Sequence, residues 1–118
     1  RPEASNDLVQ KLTEALDGLK HIRGGVWTTD APYRETVGKV RDYAGMGAVA
    51  VEMECTALMS IARYRKADFA ALLVITDEIF EGQWNQGFDS PSVEKSVKTV
   101  CESIGRRFQI PSSSGKRP

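Results

Sequence analysis

Val49-Ala50-Val51-Glu52-Met53-Glu54 carries a β-branched apolar run directly into a pair of carboxylates. Val49 and Val51 favour a pleated, buried backbone, whereas paired glutamates normally avoid one. A second apolar run, Phe69-Ala70-Ala71-Leu72-Leu73-Val74-Ile75, ends in the same manner, in Thr76-Asp77-Glu78. Between the two runs, Met53 to Arg65 has helical spacing, with Ala57, Leu58, Ile61 and Ala62 as its buried stripe. Strand, helix and strand in this order predict a right-handed parallel crossover from Ala48 to Thr76. A run as continuously apolar as 69–76 is what a strand covered on both faces requires.

Working outward, Ser5 or Asn6 can cap a first helix that reaches about Leu19, with Leu8, Val9, Leu12, Ala15, Leu16 and Leu19 on one face. Ile22 to Thr29 follows, and its Val26-Trp27-Thr28-Thr29 centre favours a strand. Pro32 disfavours helix at Ala31 and breaks that strand. Glu35 to Ala44 reads as a helix stopped by Gly45 and Gly47. Residues 77–89 read as irregular, with Gly82, Trp84 and Gly87. Ser90-Pro91 supplies a cap and a proline at the first position of a last helix, which carries Val93, Val97, Val100, Cys101 and Ile104 inward. Alternating helices and strands place the chain in the α/β class, with a partial mixed or parallel sheet flanked by helices. Residues 1–110 form the folded part, and 111–118 a polar tail with little reason to fold.

The 118 residues hold 16 basic and 16 acidic side chains, so no basic excess exists to displace counterions from nucleic acid. No apolar run approaches the roughly 20 residues that span a bilayer, and the N-terminus has no signal-peptide pattern. The two cysteines, Cys55 and Cys101, lie far apart inside helical patterns and read as reduced thiols of a cytoplasmic protein. His21, the single histidine, has no Cys or second His beside it, so no metal site is expected.

In a parallel sheet, ligands gather outside the carboxyl ends of the strands, where Glu52, Glu54 and Asp77 all fall. Neighbouring strand ends lie about 5 Å apart, or about 10 Å with one strand between, and either distance lets these acids line one pocket. If the backbone stays extended, residues 52 and 54 share a side and Met53 faces the other way. Ionised carboxylates only accept hydrogen bonds, which suits a ligand with adjacent hydroxyls such as a ribose. A carboxylic acid in a dry pocket tends to keep its proton and can give it to a leaving group, a role that Asp77 fits best. The plainer alternatives are that Glu54 begins the helix, where negative charge is favourable, and that Asp77 is a loop acid or a cap.

Val51-Glu52-Met53-Glu54 followed by small residues, with Thr76-Asp77 ending the next apolar run and Trp27-Thr28-Thr29-Asp30 plus Tyr33 before it, resembles the nucleoside phosphorylase and nucleosidase superfamily. The likeness runs from about Gly24 to Ile104. It implies a fragment of a phosphorylase-type three-layer domain. The family splits the bond between ribose and base, with phosphate in the phosphorylases and water in the nucleosidases. By resemblance, Glu54 holds the ribose hydroxyls, Met53 packs on the sugar with Glu52 beside it, and Trp27 lies against the base. Asp77 matches the acid that, in purine-specific members, protonates or hydrogen-bonds purine N7. The resemblance further implies nucleoside and phosphate as partners, phosphate as co-substrate with no other cofactor, and a homo-oligomeric parent protein.

Three departures accompany the likeness. The pair is Thr76-Asp77 where the family has Ser-Asp, which keeps a hydroxyl. Purine phosphorylases of this type often carry an arginine on the following helix that assists the acid, and 79–94 holds neither arginine nor lysine. Arg34, in Tyr33-Arg34-Glu35-Thr36, does not match the Gln-x-Arg of pyrimidine-specific members and reads as a loop arginine or a contact to base or phosphate. The third departure is length, since the family's glycine-rich phosphate loop has no counterpart here. With a start at Arg1, this reads as the C-terminal half of a longer protein, inactive alone. The expectation is therefore the ribose- and base-binding half of a nucleoside phosphorylase, purine favoured. Uridine phosphorylase and hydrolytic nucleosidase are the near alternatives, and a non-catalytic nucleoside-binding or assembly domain is the alternative of another class. The latter draws on Phe80, Trp84 and Phe88, which read as exposed, as a lid, or as packing.

Overall fold

Apolar pairs at strand spacing and capped helical runs give a mixed α/β arrangement. A computed structural model describes residues 3–80 and 82–109. The expected tail 111–118 and the Phe80 side chain lie outside the described residues. The element order is α1 (Asn6–Ala15), β1 (Gly25–Thr28), a 3-10 turn (Pro32–Arg34), α2 (Val37–Gly45), β2 (Ala48–Glu52), α3 (Cys55–Arg65), β3 (Asp77–Phe80), β4 (Gln83–Gln86) and α4 (Pro91–Arg107).

Local chemistry sets the boundaries. The Ser5 hydroxyl accepts the Leu8 N–H at 3.4 Å and starts α1, which ends at Ala15, a turn earlier than its apolar spacing suggests. Thr36 caps α2 and Ser90 caps α4, whose first residue is Pro91. Gly47 stands just past α2 at φ +87°, a conformation that costs an L side chain energy and stops the helix where β2 must begin.

β1 and β2 pair in parallel, with Val26 opposite Ala50, Trp27 opposite Val51 and Thr28 opposite Glu52. The connection between them contains α2, which packs on β2. The parallel strand–helix–strand unit is therefore β1–α2–β2. The expected crossover from Ala48 to Thr76 is not formed as a ladder, because residues 69–76 pair with no described strand. Their apolar composition records a demand for cover, not a hydrogen-bonding partner. Nor is this run covered on both faces, since Ile75 is 58% exposed. Instead the chain pairs just beyond it, where β3 and β4 form an antiparallel hairpin in the stretch 77–89 expected to be irregular.

The buried apolar core is small: Leu16, Ala31 and Cys55. The α3 stripe expected to be buried is open, with Leu58 46% and Ile61 59% exposed, because no other described element packs broadly on α3. In α4, Val97 and Cys101 are likewise exposed where an inward position was expected, while Val93, Val100 and Ile104 are half-buried. α1 lies against α4, and the Arg107 Nη2 to Glu14 Oε2 ion pair at 2.7 Å ties them. No helix among the described residues is long and apolar enough to cross a membrane.

Candidate active site

The ends of β1 and β2 meet the start of α3 in a hydrogen-bond knot. The Thr28 hydroxyl donates to Glu52 Oε1 across the strand pair. Glu52 Oε2 accepts the N–H of Glu54 at 2.7 Å and that of Cys55 at 2.5 Å. Thr28 Oγ1 in turn accepts the Thr56 N–H at 3.2 Å. Three amides at the start of α3 that would lack partners are thus satisfied by two side chains from strand ends. Burial pushes the Glu52 carboxyl up, but the hydrogen bonds from Thr28, Cys55 and Glu54 outweigh it and hold the group below its usual value.

That knot decides the geometry of the Glu52-Met53-Glu54 motif. β2 stops at Glu52 and the chain bends at once, with Glu54 at φ −124°, ψ −31° as the N-cap of α3. The extended alternation that would set residues 52 and 54 on one side is therefore absent. Glu54 is exposed, and its Oε2 accepts the Met53 N–H at 3.3 Å. Met53 is exposed as well. Cys55 is buried behind the knot, and burial followed by the neighbouring Glu52 and Glu54 carboxylates raises its thiol to about 11.

An open groove of ≈ 600 Å³ runs along β2 to the extended segment, a volume within the range of small-molecule sites. It brings together Trp27, Glu52 and Asp77, and leaves Met53 and Glu54 outside its lining. A smaller hollow of ≈ 370 Å³ lies away from these acids, between Ser5, Arg63 and Phe69. The groove is the better site because titratable, aromatic and apolar groups converge there.

Within it, Trp27 stacks on Tyr43 of α2, with ring centroids 4.4 Å apart and planes 13° from parallel. Asp77 is held on both oxygens: Oδ1 accepts from the Thr76 hydroxyl at 2.8 Å and Oδ2 from the Trp84 indole N–H at 2.7 Å. Glu35 lines the same groove, and burial followed by the charge of Asp77 raises its carboxyl above the usual value. Arg34 pairs with Asp30 at 3.4 Å on an exposed surface.

Sequence reading passed over Glu35, Tyr43 and the role of Thr28. Thr28 had a signal, since it ends a strand whose parallel neighbour ends in Glu52. Tyr43 and Glu35 had none short of the packing of α2 on β2. Trp84 and Phe88, read as exposed, as a lid or as packing aromatics, sit edge to face 6.3 Å apart and over half exposed. Among the described residues no three His, Cys, Asp or Glu groups gather as metal ligands.

The sequence profile of the Phosphorylase superfamily matches residues 1–108. A purine nucleoside phosphorylase DeoD-type of Bacillus cereus is 40% identical over 85 residues, which cover 70% of this chain and 36% of the relative. The proteins of the same name from Bacillus cytotoxicus, 40% identical, and Bacillus thuringiensis (strain Al Hakam), 39% identical, align over the same shares. The chain thus spans about a third of the length of the curated relatives it matches. A profile matched over nearly the whole sequence, on a mixed α/β fold in which β2 ends at Glu52 and β3 opens at Asp77, shows that this chain belongs to the phosphorylase superfamily.

Proposed function

We propose that this chain carries the ribose- and base-binding part of a nucleoside phosphorylase, acting on a purine nucleoside with phosphate to give the free base and ribose 1-phosphate. The observation that carries the reading is the convergence of Trp27 and Asp77 in one groove. Tyr43 covers one face of the Trp27 indole, which leaves the second for a planar base. Asp77, fixed by Thr76 and Trp84, is the group to meet the base edge, protonating or hydrogen-bonding N7 as the base departs.

In the reaction a phosphate oxygen forms a bond to the anomeric carbon while the bond from that carbon to the base nitrogen breaks. Its electron pair passes to the purine, and Asp77 supplies the proton that neutralises it. Positive charge gathers on the sugar in the transition state, where nearby carboxylates stabilise it. Glu54 is the carboxylate we assign to the ribose hydroxyls. Exposed at the start of α3, with only the Met53 N–H on its Oε2, it keeps Oε1 for them, whereas the Glu52 oxygens are engaged by Thr28 and two amides. Glu52 is therefore assigned to holding α3 and the sugar-binding turn, in place of direct contact with the ligand. Unpaired thiols at Cys55 and Cys101 support a cytoplasmic setting. The relatives' greater length supports a phosphate site built by sequence outside this chain, and we assign the parent a homo-oligomeric state on family likeness alone.

The test measures binding and base release with inosine, adenosine and uridine, with and without phosphate. Purine nucleosides should bind the 118-residue chain without turnover. Preference for uridine would select the pyrimidine reading, and release without phosphate the nucleosidase. Phosphate-dependent release would show that the chain holds the whole site.

A further inference from the structure

Asp77 opens β3 and Trp84 lies on β4, where Ile79 faces Trp84 and Asp77 faces Gln86. Residues 77, 79, 84 and 86 therefore share one face of the hairpin, and Asp77 and Trp84 are diagonal neighbours. A diagonal separation of about 7–8 Å is too long for most side chains but within reach of an indole. The indole N–H closes it, at 2.7 Å from Asp77 Oδ2. Phe88 and Trp84 meet as a T-shaped pair, with centroids 6.3 Å apart. Gly87 brings this turn of chain against residue 76: a Cβ there would stand 2.8 Å from the Thr76 carbonyl oxygen. Thr76 itself donates to the other oxygen of the same carboxyl at 2.8 Å.

We propose that Trp84 is a positioning residue, whose indole N–H together with the Thr76 hydroxyl fixes the Asp77 carboxyl toward the groove where the purine base binds. The role for the base rests on the function proposed above, while the contact stands apart from it. An indole is a donor without charge, so it orients the carboxyl without adding a cation to the groove. No arginine or lysine occurs from 79 to 94, so the hairpin does this work with a neutral group. The acidic groups about Asp77 in the groove are Glu35, from the segment before α2, Glu52 at the end of β2, and Glu78.

The contact is read by the indole N–H resonances of Trp27 and Trp84, the two tryptophans of the chain, assigned with Trp27→Phe. Asp77→Ala should move the Trp84 indole N–H resonance upfield by removing its acceptor, while Glu35→Gln and Glu78→Gln leave it in place. A Trp84 resonance unmoved by Asp77→Ala overturns the proposal. The role is read by calorimetric binding of hypoxanthine. Trp84→Phe should weaken it about two- to tenfold, the worth of one hydrogen bond. In an Asp77→Asn background the same change should have no further effect. Equal losses in both backgrounds would assign Trp84 to general packing and overturn the positioning role. Absence of hypoxanthine binding by the unmodified chain would remove the functional reading and the role with it, yet the indole resonance would still decide the contact.

Discussion

Replacing Glu52 tests whether the acid that ends β2 is a structural clamp. Glu52→Ala removes the acceptor for the Glu54 and Cys55 amides and for the Thr28 hydroxyl. Loss of a helix cap costs about 1 kcal/mol, and loss of negative charge at a helix start about 0.3–1 kcal/mol. The orphaned Thr28 hydroxyl adds about 0.5–1.5 kcal/mol, although water can reach this half-buried corner. The total is about 2 kcal/mol. Glu52→Gln keeps one acceptor oxygen and loses the charge, for about 1 kcal/mol. The assay is urea unfolding followed by helical circular dichroism. With the folded carboxyl held below its unfolded value, the stabilisation is complete above the ordinary carboxylate range of about pH 4. It disappears as the pH falls through the lowered value. Native chain and Glu52→Gln should therefore differ at pH near 7 and converge in acid. Equal midpoints at neutral pH, or a gap that persists in acid, would refute the clamp.

Asp77→Asn should reduce base release from purine nucleosides by about a hundredfold or more in the longer parent protein, the usual worth of a general acid, and normal rates would remove Asp77 from the mechanism. Because Cys55 is buried and its thiol is raised from 9.0 to about 11, iodoacetamide at pH near 8 should label exposed Cys101 and spare Cys55 until the chain unfolds. The same shift implies stability that is whole below pH 9.0 and lost as the pH climbs toward 11, checked by unfolding against Cys55→Ser. Glu35 is raised by burial and Asp77, so its ionisation works against folding; Glu35→Gln should raise the urea midpoint at neutral pH and match the native chain in acid. Gly87→Ala should destabilise by about 1–3 kcal/mol through its clash with the Thr76 carbonyl, whereas Gly105→Ala, in α4 with open space around it, should stabilise by about 0.5–1 kcal/mol, both read from thermal midpoints.

Much of this arrangement was legible where one residue type leaves one option. The Ser90-Pro91 pair marked a helix start to the residue, Ser5 was one of two candidate caps for the first helix, and Ala48–Glu52 ended as a strand where its valines gave way to acid. Pairing was harder to read. The run 69–76 looked like a central strand because its side chains are apolar, yet backbone partners depend on which segment lies beside it. The hairpin of β3 and β4 was hidden because Gln83-Trp84-Asn85-Gln86 has no apolar alternation to announce it. At the site, Trp27 was picked out by family likeness alone and Asp77 also by the close of an apolar run, yet that run forms no strand and Asp77 instead opens β3. Glu52 was assigned to the ligand by the same logic, but its oxygens are turned into the start of α3 by Thr28 and two amides. Glu35 and Tyr43 reach the groove only through the packing of α2, which no local pattern encodes.

The most direct test of the account is where a purine binds this chain. Amide and indole resonances should be followed as hypoxanthine or inosine is added to the labelled protein. Shifts should cluster on Trp27, Glu35, Tyr43, Thr76 and Asp77, around the groove they share. Shifts confined to the hollow near Ser5, Arg63 and Phe69, or no shifts at all, would contradict it.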